Sequence, residues 1–283
     1  VLVPDDGETI WESPAAGPPI DFDYLPPAPK IVLHSRPKSL LATVEGQQLL
    51  RALGAELGEV KDYFQQIVGL PLNETDQALV SFHQIDQSDD YQWLASVRTS
   101  GKTIEELLEA WGNPVQREAP TGEQFWVADS GHAYFVVPED PDAGDDVATS
   151  ASNGPLRFLV GQPDLLESVI AMGGGFPVTG ALETLRSRSD RRMHVNLMFL
   201  RPSLFNDLGK NWMGPRWADF NRALSVVLPN EVRGGMLGLH VDVGGTYVET
   251  VLERSVDIKS AQLLTQIKKD VETRRQELVA LAD

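Results

Sequence analysis

Leu33-His-Ser-Arg36-Pro37-Lys-Ser-Leu-Leu41 and Leu197-Met-Phe-Leu-Arg201-Pro202-Ser-Leu-Phe205 are written to one pattern. Each runs as an apolar strand, an Arg-Pro break and a new apolar stretch. Proline removes a backbone donor and fixes φ, so it ends the strand in both places. Downstream of each motif the same order of features returns. Gly69-Leu70-Pro71 is answered by Val227-Leu228-Pro229, and Ala78 through His83 by Met236 through His240. Tyr91 through Arg98-Thr99 is answered by Tyr247 through Arg254-Ser255. Each match alone is weak, but chance rarely keeps this order.

Local patterns fill in the unit. Leu53, Leu57, Val60, Phe64 and Ile67 recur at helical spacing and predict one amphipathic helix. Ala78–Ile85 and Tyr91–Arg98 read as a hairpin across the polar loop Asp86–Asp90. Ile104, Leu107, Leu108 and Trp111 mark a short helix, with Thr103 and Glu106 placed for a capping box. Residues 123–128 and 132–137 predict a second hairpin around Ser130-Gly131. The acidic stretch 138–154 reads as a loop, 156–160 as a strand and 164–172 as a helix that Gly173 ends. Residues 113–190 have no counterpart in the second half. Trp217, Phe220 and Leu224 predict a helical face there, and a helix over about 258–281 carries Leu264, Ile267, Val271, Arg274, Leu278 and Leu281 on one seam.

Ahead of the first unit, Pro4, Pro14, Pro18, Pro19, Pro26, Pro27 and Pro29 alternate with acidic residues and forbid regular helix. Trp11, Ile20, Phe22, Tyr24 and Leu25 are too apolar for a pure linker, so this arm is expected to lie along the body, with a flexible tether as the alternative. The opening Val1-Leu2-Val3-Pro4 lacks an initiator Met, so further chain upstream is expected. The expected organisation is a Pro-rich arm over 1–29, a first α+β repeat with an extra hairpin–strand–helix segment over 30–190, and a shorter repeat over 191–283. The fold class is α+β, with antiparallel sheets, packed helices and an internally duplicated strand–helix–hairpin–helix unit.

Leu25-Pro26-Pro27, a strand, Arg36-Pro37 and a helix, all repeated after a hairpin–strand–helix segment, resemble the repeated α+β domains of unknown function in bacterial envelope proteins. That resemblance implies a bacterial source, export or membrane tethering, and no known catalysis. It transfers no site residue.

Composition removes several function classes. The net charge is −17, from 41 acidic and 24 basic residues. Such a surface repels phosphate backbones and anionic lipid, so nucleic acid and bare membrane are not expected partners. With no cysteine there is no disulfide, thiolate nucleophile or cysteine metal site. No apolar run reaches the length of about 20 residues that a membrane helix needs.

The remaining motifs each have a plain structural reading. Asp242-Val-Gly244-Gly245-Thr246 resembles the first phosphate loop of sugar kinases, the basis for an ATP-dependent kinase as a remote alternative. Gly244-Gly245 also stands where a hairpin turn is needed, and Gly-Gly accepts the positive φ of such turns. Gly173-Gly174-Gly175 lacks the Lys-Ser/Thr of a phosphate loop and reads as a helix exit. His34, His83, His132, His194 and His240 are scattered singly, and His83 and His240 fall at equivalent places in the two copies. Asp140, Asp142, Asp145 and Asp146 lack the order of a calcium loop. There is no Gly-x-Ser-x-Gly elbow. Trp93, Trp111 and Trp126 sit on strand or helix faces where packing is the usual fate.

No catalytic, cofactor-binding or metal residue is therefore assigned, and no cofactor is expected. The sequence reading is a non-enzymatic binding or scaffolding module, extracytoplasmic, with a protein or small ligand as partner. The alternative is a hydrolase-type enzyme whose site is assembled from distant residues.

Overall fold

A computed structural model describes residues 17–52, 54–84, 91–138, 155–175, 180–205, 228, 232–242, 245–254, 265, 268–269 and 272–273. The first part runs β1 (Ile31–Ser35), α1 (Pro37–Leu41), α2 (Val44–Ala52), α3 (Gly54–Val68), β2 (Gln77–Gln84), β3 (Tyr91–Thr99) and α4 (Ile104–Ala110). The middle adds β4 (Val115–Glu118), β5 (Gln124–Val127), β6 (Ala133–Val136), β7 (Leu156–Gly161), α5 (Pro163–Ala171) and α6 (Ala181–Ser187). The last part runs β8 (Val195–Leu200), α7 (Arg201–Phe205), β9 (Val232–Asp242) and β10 (Gly245–Arg254). The predicted loop Asp140–Asp146, the Trp217–Leu224 helix, Gly244 and the seam residues Leu264 to Leu281 fall outside the described residues. Thr265, Lys268, Lys269, Glu272 and Thr273 are helical.

The sequence pattern predicts antiparallel sheets. The structure has one sheet of ten described strands in the order β10-β9-β8-β1-β2-β3-β7-β6-β5-β4, every neighbouring pair antiparallel. The reason lies in the two strands that carry the repeated motif. β1 pairs with β2 on one side and with β8 on the other, Leu33 standing opposite Leu197. Two apolar strands that could each have edged a small sheet satisfy one another's backbone groups instead.

Residues opposite one another share a face of the sheet. On one face Val32, Leu79, Leu94, Leu159, Phe135, Met198 and Met236 form the main core with Leu166, Val169 and Ile170 of α5 and Leu182 and Leu185 of α6. Gly234 lets α6 close in, because a Cβ there would stand 3.3 Å from Leu185 Cδ1. Residues 17–25 complete this core, with Ile20, Phe22 and Leu25 buried. The other face buries Ala95, Val97, Phe158, Val160 and Tyr134 under Ile67 and Val68 of α3 and Leu107 of α4.

The helix predicted over Leu53–Ile67 is α3, and the separate helix α2 precedes it. Gly54, at φ +70°, opens α3 after α2 has ended. α4 begins as predicted. Thr103 Oγ1 accepts from the Glu106 N–H at 3.3 Å, and the Thr103 N–H donates to Glu106 Oε2 at 2.8 Å. Thr103→Ala removes one half of this exchange and should lower stability by about 1 kcal/mol in a urea melt. Glu106→Ala should weaken the same helix start.

Candidate functional site around a buried histidine cluster

Polar side chains, His34 and Asn196 among them, interrupt the apolar inner face at the sheet centre. His34 of β1 is fully buried, and Asn196 of β8 is its direct cross-strand neighbour. Asn196 Nδ2 donates to His34 Nδ1 at 3.2 Å and to the Asp190 carbonyl at 3.1 Å. Both protons of the amide are thus used, and His34 Nδ1 must be the unprotonated nitrogen. The neutral ring keeps its proton on Nε2, which is buried with no hydrogen-bond partner, as is Asn196 Oδ1. Burial pushes the His34 pKa down to about 3, helped by Arg36 and opposed by Asp190.

A second histidine pair lies one step along β8. His194, immediately before the strand, stacks on His240 of β9 with ring centroids 4.6 Å apart and planes 19° from parallel. The Val241 N–H donates to His194 Nδ1 at 3.0 Å, and His194 Nε2 lies 3.1 Å from Ser39 Oγ of α1. With Nδ1 occupied as acceptor, the neutral ring carries its proton on Nε2 and donates it to Ser39. Burial, His240 and Arg36 push His194 down to about 4, against a pull upward from Asp242. His240 Nε2 sits 3.9 Å from Asp242 Oδ2, and its Nδ1 is buried without a partner.

The rung continues outward. Gly238 stands opposite Asn196, and Glu249 of β10 opposite Gly238. A Cβ on Gly238 would come within 2.8 Å of Met193 Cε, so glycine leaves room for that buried methionine. Burial and the nearby Asp190 raise the Glu249 pKa. Arg36 donates from Nη1 to the Arg192 carbonyl at 2.8 Å, which fixes the loop before β8.

Of the five scattered histidines, His194 and His240 stack, and His34 lies on the same sheet face beside Asn196. The other two lie elsewhere. His83 is buried in β2, 2.9 Å from Ser81 Oγ, and burial lowers it to about 4 against a hydrogen bond with the Pro27 carbonyl. His132 rests beside Trp93 at the second hairpin, 3.2 Å from Ser130 Oγ. Among the described residues no group of three or more His, Asp or Glu is placed to hold a metal ion. Asp242 and Thr246 of the kinase-like motif lie on β9 and β10, where Thr246 pairs with Val241. Trp111 is buried in the core, and Trp93 and Trp126 pack against it.

No protein-family model and no curated protein matches this chain. Among solved structures it is similar to crystal form III of TP0453, with a TM-score of 0.44 and 7% identity over 88% of this chain and 86% of that one. Crystal form I gives 0.42 and 8% over 89% and 86%, and crystal form IV gives 0.42 and 9% over 84% and 81%. Likeness at this level is too low to carry a function across. No helix among the described residues is long and apolar enough to cross a membrane.

Proposed function

We propose that this chain is a non-enzymatic scaffolding module, built by internal duplication, of a bacterial envelope or membrane-tethered protein. The observation that carries the non-enzymatic reading is the direction of the hydrogen bond between His194 and Ser39. A serine nucleophile needs an imidazole nitrogen free to take its proton. Here the Val241 N–H occupies Nδ1 and the proton on Nε2 points at Ser39. The imidazole donates where a general base would accept, so the contact ties α1 to the end of β8. A fluorophosphonate probe on the full chain should therefore label wild type and Ser39→Ala equally. Labelling that disappears with Ser39→Ala would restore the hydrolase reading.

Strand register supports the duplication. Leu33 and Leu197, aligned by the repeated motif, face each other across the β1–β8 pair. Leu33 pairs onward to Val80 and Ala95, and Leu197 onward to Leu237 and Thr250. Counting three residues on from Val80 and Leu237 gives His83 and His240, as the sequence alignment has them. The last strand slips by one residue, with Thr246 in the place of Tyr91 and Glu253 in that of Arg98.

The envelope part of the proposal rests on the sequence resemblance. Antibody detection after fractionation of the source cells should find the protein with the envelope. Recovery with the cytosolic proteins would remove that part and leave the scaffold reading in place.

A further inference from the structure

We infer that the arm at residues 17–25 exchanges between two copies of this chain, giving a domain-swapped dimer in which each arm completes the other copy's core. The arm belongs to the core by composition but reaches it only through a hinge. Ile20, Phe22 and Leu25 are buried in the main apolar cluster, and the four-residue hinge Pro26-Pro27-Ala28-Pro29, followed by Lys30, connects them to β1.

Every tie that holds the arm is made to the body rather than to the hinge side of the chain. The Arg191 N–H donates to the Pro18 carbonyl at 2.9 Å, the Ile20 N–H to Ser189 Oγ at 2.9 Å and the Tyr24 N–H to the Gly174 carbonyl at 2.7 Å. Asp21 Oδ2 accepts from Arg157 at 3.3 Å and pairs with Arg98 at 3.7 Å. Arg157 also donates to the Asp23 carbonyl and lies over the Tyr24 ring, 5.2 Å from its centroid. A Cβ on Gly174 would meet the Tyr24 ring at 2.6 Å, so glycine shapes the seat for that ring. An arm from a second copy would find the same seat and the same ties, because none depends on which chain supplies it.

The hinge supplies the bias. Three of its four residues are proline, which favours an extended backbone. Ala28 is held at φ +53°, a left-handed conformation that costs energy in an L residue, and it precedes Pro29, which restricts it further. With that turn the arm folds back onto its own body, where Pro26 and Pro29 are buried and His83 meets the Pro27 carbonyl. A straight hinge, reaching a second copy, releases it, and short strained hinges favour exchange for this reason.

The chain has no cysteine, which makes the exchange directly readable. Pro18 and Arg191 are exposed and joined by a backbone hydrogen bond, so cysteines at these places lie within reach of one another. A full chain carrying Pro18→Cys is mixed with one carrying Arg191→Cys, concentrated, and oxidised. A disulfide-linked heterodimer is expected, well above the background from Pro18→Cys mixed with Glu109→Cys. Ala28→Pro, which cannot adopt a positive φ, should enrich the heterodimer and shift the chain to dimer in size-exclusion chromatography. Ala28→Gly, which adopts it freely, should lower the heterodimer about tenfold relative to wild type. An Ala28→Pro chain that stays monomeric, or a heterodimer yield at background, overturns the exchange. If Ala28→Pro does not fold, equal yields from Ala28→Gly and wild type overturn it as well.

Discussion

Stability should fall steeply between pH 6.5 and 4, by about 3 kcal/mol for each of His34 and His83 by the lower end of that range. Both rings ionise near 6.5 when unfolded, and burial holds them near 3 and near 4 in the fold. The unfolded chain therefore takes up protons first as pH drops. Stability is fully present above 6.5, is lost as pH falls through the unfolded value, and stops falling for each group only below its folded value. Each buried histidine contributes a slope approaching about 1.4 kcal/mol per pH unit in this window. Set against a total of about 5–15 kcal/mol for an ordinary domain, two such groups can consume most of it. Glu249 and Asp23, whose folded pKa values are raised, work in the opposite sense and soften the fall. Urea midpoints at pH 7.5, 6, 5 and 4, with a constant m-value, measure the curve directly. His34→Gln should remove one histidine's share of the slope, whatever it costs at pH 7.5. A flat curve from pH 7 to 5 would mean that the rings are hydrated.

The elements legible in the sequence are those whose cause is local. The capping box at Thr103, the 91–99 strand and the α5 helix opened by Pro163 each follow from a handful of adjacent residues. β4 was not legible, because Val115-Gln-Arg-Glu118 is an exposed edge strand with no buried position to set an alternation. α6 follows a glycine- and proline-bearing stretch and shows only Leu182 and Leu185 as apolar marks. The single sheet was not legible either, since it depends on β1 and β8 pairing across more than half the chain.

The histidine cluster follows from that same pairing. His34, His194 and His240 share no local motif, and only the adjacency of β1, β8 and β9 brings them together. A signal was nonetheless present. Ile31-Val-Leu-His34 and Val195-Asn196-Leu-Met each place one polar residue in an apolar strand of the kind that buries both faces. Two such interruptions, one in each strand that leads into the repeated Arg-Pro motif, mark a buried polar pair. The sequence cannot supply the hydrogen-bond direction at His194, because the Val241 amide that sets it belongs to another strand.

Trp111→Ala should be the most damaging truncation in the second core, at about 3–5 kcal/mol. The indole is where four elements meet. It stacks on Tyr134 of β6 with centroids 4.2 Å apart and planes 16° from parallel, and tilts against Phe158 of β7 at 5.2 Å. Its Nε1–H donates to the Val68 carbonyl at the end of α3, at 2.9 Å. The ring also lies against Gly69, where a Cβ would stand 2.9 Å from Trp111 Cδ1, so the left-handed turn after α3 and the seat of the indole depend on one residue. Trp111→Phe keeps an aromatic ring between Tyr134 and Phe158 but leaves the Val68 carbonyl unpaired, a loss of about 1–3 kcal/mol. Trp93→Ala, on a ring only partly buried, should cost less than Trp111→Ala. Denaturant melts of the three variants give the ranking. If Trp111→Phe costs as much as Trp111→Ala, the hydrogen bond to α3 outweighs the packing. If Trp93→Ala costs the most, this core is centred on Trp93 and not on Trp111.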